Sequence, residues 1–230
     1  MSLLVFTLGA VALTIGAYRF SLFVRRRWSH PLTTPVLFST SLVVAVLLMV
    51  RTDAAAYEPA KGLMSFLLGP ATVALAIPLY RNRAAFQRRL VPALAGLLSG
   101  ILVTIALAIA CGRAFRLGAL LQATLAVKST TTAIAIEVAR IVHGDPALAA
   151  AFVVCTGTFG AAFGPWLLDR ARVDDPVARG VAYGAIAHGI GTAQAATESE
   201  LAGAVAGVSL GIGGIVTAAL APLLLRLLAS

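Results

Sequence analysis

The chain has 230 residues, of which 60% are hydrophobic and only 12% charged, with a formal net charge of +9 and a mean hydropathy of +0.95. A soluble globular domain carries about 25% charged residues, so this composition excludes one and points to an all-α polytopic membrane protein. The basic excess does not indicate a nucleic-acid partner, because the arginines sit in short clusters between apolar spans, as topology signals do.

In chain order the apolar segments run over about 3–24, 35–50, 62–80, 90–111, 117–142, 147–168, 180–196 and 201–228. The first is followed by Arg25-Arg26-Arg27 and has no basic residue before it, the reverse of a cleavable signal peptide. It is expected to stay, with its amino end outside. No long polar linker divides residues 1–230, which read as a single integral membrane domain. Cys111 and Cys155 lie in or beside apolar segments and read as small core residues, with no disulfide to infer.

If all eight segments cross, the basic residues divide equally between the two faces. If the segment at 117–142 instead dips in and returns, Arg170, Arg172, Arg179 and Arg226 move inside and Arg140 moves out. The positive-inside rule then favours about seven transmembrane helices plus one re-entrant segment, with the carboxyl end cytoplasmic. The chain also carries a weak internal echo. Gly69-Pro70-Ala71-Thr72 lies in an interrupted segment followed by a smoother one, and so does Gly189-Ile190-Gly191-Thr192-Ala193-Gln194. Repeat halves at about 35–112 and 147–228, linked by the re-entrant 117–142, would then point in opposite directions, as in the inverted repeats of secondary transporters. Small residues recur in apolar helices in any case, which is the competing explanation.

Lys128 opens the run Lys128-Ser129-Thr130-Thr131-Thr132 inside an apolar stretch. An ammonium at membrane depth is costly unless it faces protein or water, and consecutive hydroxyls supply partners where a helix breaks. Lys128 is a candidate for a substrate carboxylate or, if the segment bends, for Glu137; the alternative is a lysine snorkelling to the interface. Glu137 also has Arg140 at helical spacing. Gly69, Pro70, Ala71, Thr72, Gly189, Gly191, Thr192 and Gln194 are candidates at two broken-helix tips, where free N–H groups bind anions. His188, beside the later break, is a candidate proton site or a hydrogen-bonded packing residue, and Glu137 is a second titratable candidate. Asp174-Asp175 before Pro176 reads as a loop with a helix start, and no nucleophile-base pair or metal-ligand spacing supports an enzyme, a catalytic residue or a cofactor.

Five ordered blocks, Gly69 to Tyr80, Lys128 to Thr132, Thr156-Gly157 with Gly164-Pro165, Asp175 to Gly180 and His188 to Ala193, resemble the LrgB/CidB family, including the YohK-like bacterial inner-membrane proteins. That resemblance implies either of two functions. One is transport of small monocarboxylates such as glycolate, glycerate or pyruvate, after the plastidial relatives, with Lys128 carried over to the carboxylate. The other is holin- or antiholin-like control of murein hydrolase export and autolysis beside an LrgA/CidA-type membrane partner. The expected partners are thus a small carboxylate, the lipid bilayer, a second copy of the chain in a dimer, and that membrane protein.

Overall fold

A computed structural model describes residues 3–28, 33–52, 54–74, 76–81 and 83–228, and every described element is helical. His30 falls outside these residues. The chain packs as two compact units, residues 1–77 and 78–230.

In the first unit α1 (Leu3–Arg27), α2 (Pro35–Met49) and α3 (Ala54–Ala74) follow one another. Pro35 opens α2, where its missing N–H costs nothing. The rings of Phe20 and Phe38, 6.1 Å apart, close the antiparallel α1–α2 pair near their connection. The hydroxyls of Thr14 and Tyr57 bond at 2.7 Å and tie α3 to α1. The backbone stays helical through Gly69-Pro70, with Pro59 and Pro70 inside α3. The interruption expected there is therefore absent from the described residues. A single proline deletes one ladder hydrogen bond without ending a membrane helix. The side chains of Gly69, Ala71 and Thr72 lie outside the described residues.

The short α4 (Ala76–Arg81) leads the chain into the second unit, which holds α5 (Arg83–Arg88), α6 (Leu90–Ala114), α7 (Ala119–Ala126), α8 (Thr132–Ile141), α9 (Pro146–Arg170), α10 (Pro176–Ile186), α11 (His188–Glu198) and α12 (Glu200–Leu228). Among the described residues α1, α6, α9 and α12 are long and apolar enough to cross a membrane. Four such helices make this a multi-pass membrane protein. Leu97, Ile101 and Ile105, one turn apart on α6, pack with Val153, Val181 and Val205 in a single apolar core. Gly180 and Gly184, four apart on α10, let that helix lie against α12: a Cβ on Gly180 would stand 2.6 Å from the Ala202 carbonyl oxygen. Arg51, Arg116, His143 and Arg172 each take positive φ just beyond a helix end. The amide of Leu117 bonds back to the Gly112 carbonyl and that of Arg116 to Arg113, the pattern that satisfies the last carbonyls of α6.

The segment at 117–142 does turn back. The backbone N–H of Asp145 donates to Thr124 Oγ1 at 2.8 Å, although a straight helix would separate those residues by about 31 Å. A second reversal, which hydropathy conceals, occurs at 180–196. Arg179 Nε donates to Glu198 Oε2 at 2.6 Å, against roughly 28 Å along a continuous helix. The expected crossing there is corrected to a helical hairpin: α10 and α11 have 11 residues each, about half the length needed to span a bilayer. Arg172 and Arg226, expected on one face, consequently lie at opposite ends of the unit. Arg89 pairs with Asp175 at 2.8 Å at the end holding the start of α6, and a surface pocket brings His143 beside Arg226 at the other. Cys111 and Cys155 are exposed, not core residues, because each falls on the outward side of its helix. In a variant lacking both native cysteines, R172C and E200C should react with an impermeant thiol reagent from one face of the membrane and H143C from the other; labelling of R172C and E200C from opposite faces would restore the crossing.

Candidate functional site

The first hairpin reverses between α7 and α8. Its chain leaves helical geometry at Val127, which is fully buried, and re-enters it after Thr131, whose Oγ1 caps α8 by accepting the Ile134 N–H. Lys128 sits on the tip, half-buried, its Nζ 3.1 Å from Ser129 Oγ. Ser129 and Thr130 are buried, Thr131 half-buried and Thr132 exposed. Thr130 Oγ1 makes no hydrogen bond among the described residues. It lies against Gly214, where a Cβ would stand 3.6 Å away. Gly214 is the midpoint of α12, so this tip stops halfway along the long helix.

The second hairpin reverses at Ala187-His188. Here the break falls one residue before the expected Gly189. His188 itself takes φ +41°, while Gly189 and Gly191 are ordinary helical residues of α11. A non-glycine residue in that region costs roughly 1–3 kcal/mol. The cost is offset by what the imidazole gains: it is buried, and Nε2–H donates to the Val153 carbonyl at 2.8 Å. A carbonyl only accepts, so the proton is on Nε2. The ring reaches that carbonyl because residue 157 is glycine, whose Cβ would collide with the His188 ring. Gly157 stands one residue before the midpoint of α9, so the second tip also stops about halfway, entering from the opposite end. Val153 in turn packs in the same apolar cluster as Ala126 and Val127 of the first hairpin. No side chain caps α11.

Below the second tip a charged network ties the limbs together. Arg179 donates to Glu198, to Asp169 Oδ1 at 2.8 Å and to the Val173 carbonyl at 3.0 Å. Tyr183 OH donates to Glu198 Oε1 at 2.6 Å. The Arg179 and Glu198 side chains are only 12% and 18% exposed, so each charge depends on the other for its burial. Asp175 starts α10 as expected, accepting from the amides of Val177 and Ala178.

Of the candidate residues, Lys128 to Thr132 share the first tip, and His188, Gly189, Gly191, Thr192 and Gln194 share the second hairpin. Thr192 Oγ1 donates to the His188 carbonyl at 2.9 Å. Gln194 is fully buried; its Nε2 approaches Glu198 Oε1 at 3.4 Å and its Oε1 accepts nothing among the described residues. Gly69 to Thr72 belong to the first unit. Glu137 is exposed and pairs with Arg140 at 2.6 Å, so it is not the partner of Lys128. Sequence reasoning missed Arg179, Tyr183 and Glu198, whose spacing has meaning only once the helix folds back. Gly157 stood in a recognised block without a role.

A sequence profile described as the LrgB-like family matches residues 14–227. The uncharacterized protein YwbG of Bacillus subtilis is 34% identical over 213 residues, covering 93% of this chain and 95% of the relative. YxaC of the same organism is 32% identical over 217 residues, covering 94% of each chain. A protein named holin-like protein CidB, from Staphylococcus aureus, is 27% identical over 217 residues, covering 94% of this chain and 95% of its own. No solved structure matches.

Breaking the buried pair on one side should be worse than removing both charges. Glu198→Ala is expected to lower stability in detergent by about 3 kcal/mol, and Arg179→Met combined with Glu198→Leu by less, read from unfolding midpoints; additive losses would show that the pair is not coupled.

Proposed function

The chain belongs to the LrgB-like family, and we propose that it is a secondary transporter of small monocarboxylates of the glycolate, glycerate or pyruvate type across the bacterial inner membrane, not an enzyme. One observation carries this reading: two half-helix amino termini, those of α8 and α11, begin halfway along the long helices of one unit, on hairpins entering from opposite ends. Each such terminus contributes about half a positive charge, and Lys128 adds a whole one beside the first. A carboxylate carried to that depth needs such a setting, since either charge alone is costly there. The buried oxygens of Thr130 and Gln194, unbonded among the described residues, are groups that a hydroxylated solute satisfies.

In this reading Lys128 neutralises the carboxylate and Ser129, Thr130, Thr131 and Thr132 bond its oxygens. Thr192 and Gln194 serve the second tip together with Gly189 and Gly191, which keep its backbone bare. His188, with the proton on Nε2, has Nδ1 left to take another, and so is the coupling site for proton-driven transport. Glu137, engaged with Arg140 at the surface, has no part in it. Gly69, Pro70, Ala71 and Thr72, on a helix that continues through them, have no part in it, and the working assembly is a dimer.

The name carried by the CidB relatives favours a second reading, a holin-like regulator of murein hydrolase export that acts with an LrgA/CidA-type partner. It assigns no special role to Lys128. Proteoliposomes containing this protein alone separate the two: saturable uptake of labelled glycolate without release of an entrapped neutral dye supports transport, and dye release without saturation supports the regulator. Lys128→Ala should reduce uptake about tenfold or more, and wild-type uptake by that variant would remove the carboxylate role. Thr130→Val should leave the unfolding midpoint unchanged or raise it, because it deletes a buried hydroxyl that has no partner among the described residues, while lowering uptake at subsaturating solute; a clear loss of stability would show that the hydroxyl is bonded within the protein.

A further inference from the structure

Arg19 stands outside every role assigned above. It lies within α1 six residues before Arg25, about 9 Å further along the axis than the basic triplet that closes the helix. The side chain is exposed and makes no ion pair among the described residues. The acids of the first unit are Asp53, outside the described residues, and Glu58, which pairs with Lys61 at 2.8 Å. Six basic residues, Arg19, Arg25, Arg26, Arg27, Arg51 and Lys61, face those two acids in the sequence of this unit. A guanidinium on a membrane helix below the interface is costly until an anion meets it.

Arg19 lines an open groove of about 610 Å³ between residues of α1, α2 and α3. Because α1 and α2 are antiparallel, the groove has a polar end and an apolar end. Arg19, Ser39 and Thr40 lie toward the Arg25 triplet and the start of α2, while Ile15, Val44 and Leu47 line the end deeper along both helices. The hydroxyls of Thr14 and Tyr57 at the deep end bond to each other and so offer little to a polar guest. A soluble anion matches only the polar end of this gradient; an amphiphile with a charged head and a hydrocarbon tail matches all of it.

We infer that the groove is a binding site for one anionic phospholipid, its phosphate on Arg19 and the hydroxyls of Ser39 and Thr40, and an acyl chain along Ile15, Val44 and Leu47. The site is independent of the transport reading, since it lies in the first unit and uses none of the hairpin residues. Native mass spectrometry of the full chain in detergent, with phosphatidylglycerol, phosphatidylcholine or inorganic phosphate added, tests it. The wild type should retain one phosphatidylglycerol through stepwise activation, retain phosphatidylcholine poorly and gain no mass from phosphate. Arg19→Gln should lower phosphatidylglycerol retention about fivefold, and Arg88→Gln, another exposed arginine, should not. Thr40→Phe, which fills the groove and leaves Arg19 in place, should lower retention as well. Wild-type retention by either Arg19→Gln or Thr40→Phe, equal retention of phosphatidylcholine, or a stable phosphate adduct would overturn the inference.

Discussion

Hydrocarbon offers no hydrogen bonds, so a backbone that reverses direction inside a membrane must satisfy its own helix ends. The second unit meets that constraint twice, by different means. At the first reversal the sequence supplies hydroxyls, and Thr131 caps α8 directly. At the second no cap is present, and the turn is held by a histidine forced to positive φ and anchored to a helix carbonyl of α9. Since each limb has only half the length of a crossing, both polar turns are delivered to the middle of the long helices. Much of the remaining packing serves this arrangement: glycines at 157, 180 and 184 let side chain or backbone approach closely, and the Arg179 network holds the limbs of the second hairpin parallel to the core.

The first reversal was legible in the sequence because its chemistry is conspicuous. A lysine followed by four hydroxyl residues interrupts an apolar stretch, and arginine placement independently asked for one segment that does not cross. The second reversal was not legible. Residues 180–196 have the hydropathy and glycine content of a crossing, and the turn falls on Ala187-His188, whose side chains carry no turn signal. The Arg179–Glu198 pair spans 19 residues, a separation that has no meaning for any regular helix and acquires one only after the fold-back. Gly69-Pro70 misled in the other direction: a Gly-Pro step looks like a break, yet α3 continues through it. The cysteines likewise could not be assigned an inner or outer helix face from hydropathy, because a membrane helix is apolar all round.

Family membership and geometry speak to different levels of the problem. The LrgB-like match covers nearly the whole chain and, with the long apolar helices, establishes a multi-pass membrane protein. The relatives' names carry the holin-like description, which concerns a cellular outcome. The two half-helix tips, and the oxygens of Thr130 and Gln194 that have no partner among the described residues, concern what a site offers to a solute.

The two hairpins are fastened very unequally. The α10–α11 pair is clamped by a guanidinium shared between two carboxylates and a carbonyl, with a phenol on one of them. Among the described residues, the α7–α8 pair is hydrogen-bonded to the start of α9 by one neutral bond from the Asp145 amide to Thr124. Charge-assisted bonds are roughly twice as strong as neutral ones, so the second hairpin has the stronger polar fastening, while the first relies on apolar packing through Ala126, Val127 and Ala135. Lys128 rides on the lightly bonded hairpin and His188 on the clamped one, so the two polar tips differ in how firmly hydrogen bonds tie each to its surroundings.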